Sequence, residues 1–277
     1  MTQDQACVTF LQWALPRLRL RWAGFRRVRR QVCRRVRQRF ADLGLASFSE
    51  YRYYLETHPA EWAVLNDGCR VTISRFYRDR WVFDRLFSAV LPPLASAAVL
   101  AGNTAVTAWC AGCASGEEAF TLRLGWEYGL AAVYPELTLR IVATDRDPHL
   151  LGRGRAARYP SGSLGELPDE WRRLAFTDEG DMCRLRDEYR AGVTFMEQDI
   201  RRVAPAGPFH LILCRNLAFT YFDEDLQRDV LRRLTTTLVA GGILMTGRRE
   251  VLPPSSSDYV AMGDGIFRYR SAAPRKQ

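Results

Sequence analysis

Lysine is all but absent from this chain: Lys276 is the only one, and every other basic side chain is an arginine. A GC-rich coding bias produces that usage by itself, so no single arginine is a functional signal. Histidine is scarce too. His58, His149 and His210 lie far apart, and no second C-x-x-C accompanies Cys110 and Cys113. That excludes the usual zinc spacings, and no metal site is expected. No run of 18 apolar residues exists, so neither a spanning helix nor membrane insertion is expected. The opening MTQDQACVTFLQW has no basic stretch before an apolar core, so no secretory signal is expected. The seven cysteines are scattered at 7, 33, 69, 110, 113, 183 and 214. They read as reduced thiols of a cytoplasmic protein, not as a disulfide framework. There is no internal repeat.

The 277 residues suffice for one large domain or a medium one and a small one. A hydrophobic fraction of 47% and a charged fraction of 26% suit a globular protein. The net charge of +9 is concentrated, with 11 arginines between Arg17 and Arg39. Through this cluster Phe25, Val28, Val32, Val36, Phe40 and Leu43 recur at helical spacing, and Gly44 is a stop. Ser47-Phe48-Ser49-Glu50 reads as a capping box for a further helix. After an extended piece over 70–74, Asp79 is expected to cap a helix that Pro92-Pro93 ends, with an Ala-rich linker to Gly102. The chain thus divides into a helical, Arg-rich segment 1–92 and a segment 93–277. In the latter, strands are expected near 105–110, 139–145, 193–197, 209–214 and 242–247, and helices near 116–130, 147–157 and 223–239. This alternation predicts an α/β fold with a parallel sheet. Residues 158–192 break the rhythm and read as an insertion, with a short hairpin expected within CRLRDEYRAGVTF.

The stretch TAVTAWCAGCASGEEA (104–119) is a strand, a small-residue loop and a helix start, the unit that holds nucleotide-like cofactors. The next strand, LRIVATD, ends in Asp145, an acid placed to take ribose hydroxyls. The loop lacks G-x-G-x-x-G and offers Glu117 and Glu118. Carboxylates suit a cationic nucleoside better than a pyrophosphate, so S-adenosylmethionine (SAM) fits better than NAD.

Four blocks resemble the CheR family, the chemotaxis receptor methyltransferases that transfer methyl groups from SAM to glutamate side chains. They are VTISRFYRD (71–79), WCAGCASGEEAF (109–120), VATDRD (142–147) and FHLILCRNLAFTYFDEDLQRDVLRRL (209–234). The resemblance runs from about Leu45 to about Arg270. It implies a Rossmann-like class I SAM methyltransferase domain, a small all-helical N-terminal domain and a short inserted β subdomain. It further implies that Thr72, Ser74 and Arg78 line the SAM site, that Glu117 holds the methionine ammonium and Asp145 the ribose. Asp199 contacts the adenine amine with Ile200 beside the ring, and Arg215, Asn216 and Leu217 stand at the methyl-transfer end. Arg78 and Tyr221 orient the acceptor, and the product is S-adenosylhomocysteine (SAH). The implied partner is a protein with exposed glutamates, such as a chemoreceptor bundle; nucleic acid is not expected. A carboxylate acceptor is already ionised near neutrality, so no general base is assigned. The chain departs from the family pattern at Thr72 (commonly Asn), in one extra residue between Asn216 and Tyr221, and in GRRE (247–250) where Gly-His-Ser-Glu is usual. Two alternatives stay open: a SAM- or SAH-binding regulatory module whose longer turn abolishes transfer, and a nucleic-acid methyltransferase using the arginine helix.

Overall fold

The strand–helix alternation folds as a seven-stranded sheet in the computed structural model, which describes residues 2–254 and 256–270. Five strands run parallel: β1 (Ala105–Ala111), β2 (Thr138–Asp145), β6 (Val193–Glu197), β7 (Phe209–Cys214) and β8 (Leu238–Thr246). The sheet order is β6-β2-β1-β7-β8-β10-β9. The last pair, β9 (Tyr259–Gly263) and β10 (Ile266–Tyr269), is an antiparallel hairpin on the β8 edge that the alternation pattern did not reveal. Strand order reverses at β1. The loops after β1 and β7 therefore diverge there, and this is where open α/β sheets bind ligands.

The apolar helix that starts at Arg80 does not stop at Pro92-Pro93. It runs as α6 (Arg80–Arg85), a π turn (Leu86–Val90) and α7 (Leu91–Leu100). The wide turn lets two prolines, which lack N–H donors, enter at the first positions of α7. The expected linker to Gly102 is therefore helical. By length and composition Arg80–Leu100 could cross a membrane. Its apolar residues Val82, Phe83, Leu86, Val90, Leu91 and Leu94 instead share the buried core with β1, β2 and β7. These helices therefore group with the sheet, and the contact boundary falls between Thr72 and Ile73. The larger unit comprises Ile73–Asn216 and Arg228–Gln277 and contains α8 (Glu117–Gly129) and α9 (Pro148–Ala156).

The insertion holds a small sheet of order β3-β5-β4 and helix α10 (Asp169–Ala175). Its strands are β3 (Arg158–Pro160), β4 (Phe176–Glu179) and β5 (Met182–Leu185). The hairpin spans 176–185 and meets the predicted stretch, 183–195, only at its first three residues. It turns at Gly180, whose φ is +79° and whose N–H donates to Asp178 Oδ1 at 2.9 Å.

The smaller unit comprises Met1–Thr72 with Leu217–Gln227. Its helices are α1 (Gln3–Arg17), α2 (Trp22–Phe25), α3 (Arg29–Asp42), α4 (Phe48–Thr57) and α5 (Glu61–Gly68). Ser47 caps α4 through Glu50 as the capping box predicts. The arginine cluster is not one solvated face. Arg39 makes two 2.8 Å bonds to the buried Glu61. Arg35 donates to the carbonyls of Gly68 and Arg70. The reading of all seven cysteines as thiols is corrected: α1 and α3 pack closely enough to bring the Cys7 and Cys33 Cα atoms to 6.0 Å, and the two are disulfide-bonded.

Candidate functional site

The β1 register places Ala111 opposite Thr144, so the following loop turns over the end of β2. The N–H groups of Gly112 and Cys113 both donate to the Thr144 carbonyl, at 2.8 and 2.9 Å. Gly116 closes the loop at φ +88°, and a Cβ there would meet the Phe195 ring at 2.6 Å. Only glycine fits that turn. The loop N–H of Ala114 donates to Asp145 Oδ2 at 2.9 Å, and the N–H of Asp147 to Asp145 Oδ1 at 3.0 Å. Two backbone donors thus fix this carboxylate at the tip of β2.

Glu117, the first residue of α8, is buried at 3% exposure. Its Oε1 accepts from Ser115 Oγ at 2.7 Å. Its Oε2 is buried with no hydrogen-bond partner among the described residues. A buried, unmatched carboxylate oxygen is unfavourable by itself, and a cationic N–H donor satisfies it. The donor set therefore fits the ammonium of an amino-acid moiety. The insertion braces this loop, since the buried Tyr159 donates to the Ser115 carbonyl at 2.7 Å. Cys110, near the end of β1, and Cys113, in the loop, are both buried, and burial pushes both thiols well up, so they are packing residues here.

At the tip of β6 the carboxylate of Asp199 is taken up by Arg201. Its Oδ1 accepts from Arg201 Nε at 2.9 Å and from the backbone N–H at 3.0 Å, and its Oδ2 from Nη2 at 2.5 Å. Burial pushes the Asp199 carboxyl up, but these bonds outweigh it and hold the group below the ordinary range. Ile200 is buried beside it. Gln198, which the sequence reading passed over, donates its backbone N–H to the Asp145 carbonyl at 3.0 Å. Its side-chain Oε1 is buried without a partner among the described residues.

At the tip of β7, Arg215 is buried and gathers two other segments, 78–83 and the start of α8. It donates to Glu118 Oε2 at 2.9 Å, to Asp79 Oδ2 at 2.6 Å and to the Arg78 carbonyl at 3.0 Å, and it lies 5.0 Å from the Phe83 ring centre. Burial raises the Glu118 carboxyl above its ordinary value against the pull of Arg215. Asp79 holds the predicted N-cap position of α6, but its side chain caps no helix N–H. Its φ is +63°, and its carboxylate turns to Arg215 instead. The Arg78 guanidinium donates back to the Ile73 carbonyl at 2.9 Å, and Ser74 is half-buried on the same extended piece. Asn216, at φ +53°, donates its N–H to Glu250 Oε2 at 2.8 Å, and Gly247 donates to the same oxygen at 2.6 Å. Glu250 thus ties the ends of β7 and β8 together. The sequence reading quoted GRRE without assigning Glu250, and nothing local marks it as a bridge.

Thr72, Leu217 and Tyr221 belong to the smaller unit. The longer turn there is taken up by one helical turn, α11 (Ala218–Tyr221), ahead of α12 (Glu224–Thr237). Arg21 grips that turn: Nε donates to the Thr220 carbonyl at 3.0 Å, Nη2 to the Phe219 carbonyl, and its backbone N–H to the Tyr221 carbonyl at 2.8 Å. The Tyr221 ring meets Phe25 edge-on at 5.1 Å.

The family description "CheR methyltransferase, SAM binding domain" matches residues 72–265. A chemotaxis protein methyltransferase of Listeria innocua is 30% identical over 198 residues, 71% of this chain and 72% of that one. The chemotaxis protein methyltransferase of Escherichia coli K12 is 26% identical over 247 residues, 86% of this chain and 82% of that one. An uncharacterised 104.1 kDa protein of Rhodobacter capsulatus is 29% identical over 230 residues. That match takes in 82% of this chain but 24% of the Rhodobacter protein, so the chain spans about a quarter of that relative's length.

Proposed function

The chain belongs to the CheR methyltransferase family, with SAM as its cofactor, and on that premise we propose that it esterifies glutamate side chains of a protein partner, as a chemoreceptor-like bundle would present them. The observation that carries the cofactor half is Glu117 Oε2, a buried acceptor left unmatched at the end of the loop whose Ala114 N–H holds the Asp145 carboxylate. In this reading Glu117 takes the methionine ammonium and Asp145 the ribose hydroxyls. Ile200 packs on the adenine, with Asp199 and Gln198 at its polar edge. Thr72, Ser74, Arg215, Asn216 and Leu217 complete the cofactor's surroundings. Bound SAM supplies an electrophilic methyl group on a sulfonium, which the acceptor carboxylate takes in one displacement, leaving SAH.

No proton need move, because the acceptor is ionised near pH 7. The work left to the protein is alignment and exclusion of water, which otherwise solvates both opposite charges. Arg78 and Tyr221 are assigned to orient the acceptor. The partner half of the reading is supported by charge. Arg26, Arg27, Arg30 and Arg34 are exposed, Arg37 is half-buried, and none makes an ion pair among the described residues. Arg30, Arg34 and Arg37 share a face of α3, a stripe suited to an acidic helical surface. The reaction draws on cytoplasmic SAM, so the enzyme is assigned there.

The test is label transfer. The purified chain is incubated with methyl-labelled SAM, membranes and cytosol, and labelled bands are treated with mild base. Label released as methanol from a protein band is expected. Label found only in RNA or DNA contradicts the proposal. SAH binding without transfer to any component favours the regulatory-module alternative.

A further inference from the structure

Three chain segments close a ring at the carboxyl edge of the sheet. Arg215 holds Asp79, Asn216 shares Glu250 with Gly247, and Arg248 lies with its guanidinium carbon 4.6 Å from the centre of the Trp81 ring. Trp81 stands two residues after Asp79, and Arg248 directly after Gly247. The Trp81–Arg248 pair therefore sits on the rim beside Arg215 and Asn216. Gly247 is packed so tightly that a Cβ would lie 2.7 Å from Asn216 Oδ1, which fixes where the chain leaves for Arg248.

The pair is poised but not engaged. Trp81 is 37% exposed, Arg248 and Arg249 are exposed, and Val251 beyond them is 76% exposed. Neither Arg248 nor Arg249 makes an ion pair among the described residues. The nearby carboxylates are committed elsewhere: Asp79 and Glu118 to Arg215, and Glu250 to two backbone N–H groups. A guanidinium drawn to the face of an indole is held in place by that contact, and N–H groups that face solvent can still bond an acceptor. A carboxylate matches the guanidinium fork.

We infer that Trp81 and Arg248 form a specificity site for an acidic side chain next to the methylated glutamate, with Val251 as its apolar border. The inference rests on the proposed protein-carboxylate reaction and narrows it: the preferred acceptor segment carries a second carboxylate beside the first. Arg248 acts on acceptor recognition and does not touch the methyl donor.

The experiment uses two synthetic helical peptides, one with glutamates flanking the acceptor and one with those flanks changed to glutamine. Fluorescence anisotropy measures their binding to the SAH-loaded full chain, and label transfer measures their turnover. Wild type is expected to prefer the acidic peptide roughly tenfold, a preference that fades as salt screens the contact. Arg248→Ala and Trp81→Leu are expected to abolish the preference by raising KM, with SAH affinity unchanged as the control for folding. Arg248→Lys keeps the charge and loses the planar two-pronged donor, so it retains part of the preference. Equal binding of the two peptides by wild type overturns the inference. So does full preference in Arg248→Ala, or binding of duplex DNA or RNA at this rim in place of the peptide. Should no peptide be methylated while the anisotropy preference holds, the proposed reaction fails and the acidic-segment site stands.

Discussion

Glu61 in the smaller unit and Glu117 in the larger are equally buried carboxylates, at 5% and 3% exposure, but their surroundings differ. Glu61 is saturated: Oε1 accepts from Arg39 Nε and the Tyr51 hydroxyl, and Oε2 from Arg39 Nη2, all at 2.8 Å. The Arg39 bonds, outweighing burial, hold its carboxyl below the ordinary range. Glu117 has one oxygen on Ser115 and the other on nothing among the described residues. A closed network holds a fold together, whereas an open one waits for a ligand. Burial alone would have ranked the two residues alike.

Breaking each carboxylate separates the two roles. Glu117→Gln is expected to weaken SAH binding roughly a hundredfold, about 3 kcal/mol, by removing the charge that meets the ammonium. Its effect on the apo protein's thermal stability is expected to stay within about 0.5 kcal/mol. Calorimetric titration and a melting curve check both. Glu61→Ala is expected to do the reverse, destabilising the helical unit by about 2 kcal/mol with SAH affinity unchanged. Denaturant unfolding followed by hydrogen exchange over 48–68 reads this loss.

The same contrast sets a pH dependence. The Glu61 carboxyl is lowered in the fold, so its contribution is fully present above the unfolded value near 4.5 and is lost as pH falls through the lower folded value. Acid unfolding of the wild type is expected to steepen below about pH 4.5. Glu61→Gln is expected to flatten that limb.

Much of this frame was legible in the sequence. The five parallel strands and α8, α9 and α12 follow from apolar periodicity and turn residues, and each lies within a few residues of its expected place. The loop from Gly112 to Gly116 was legible because glycine and a helix-start acid carry local meaning. What escaped was long-range. Arg21 binds carbonyls about 200 residues away, and no local pattern marks it among its neighbours. Asp79 reads as a helix cap by its position, but tertiary packing puts it on Arg215. Pro92-Pro93 reads as a stop, yet the π turn before it lets the helix continue. Cys7 and Cys33 look unrelated until α1 and α3 pack.

Smaller effects sharpen the comparison further. Arg21→Ala is expected to loosen the turn 218–222 by about 1 kcal/mol, seen as faster hydrogen exchange there, with SAH affinity unchanged. Arg201→Ala frees Asp199 and is expected to change SAH affinity less than about threefold, under 1 kcal/mol, because Gln198 and Ile200 remain. Titration of that variant with SAH reads the size of the Asp199 contribution.

The most direct test of the open-carboxylate account is a calorimetric cycle with wild type and Glu117→Gln against SAH and an SAH analogue lacking the amino group. The account predicts that wild type loses roughly a hundredfold in affinity when the amine is removed, and that Glu117→Gln, already weakened, loses almost nothing more. Independent, additive losses would show that the buried oxygen of Glu117 does not meet the ammonium, and would contradict it.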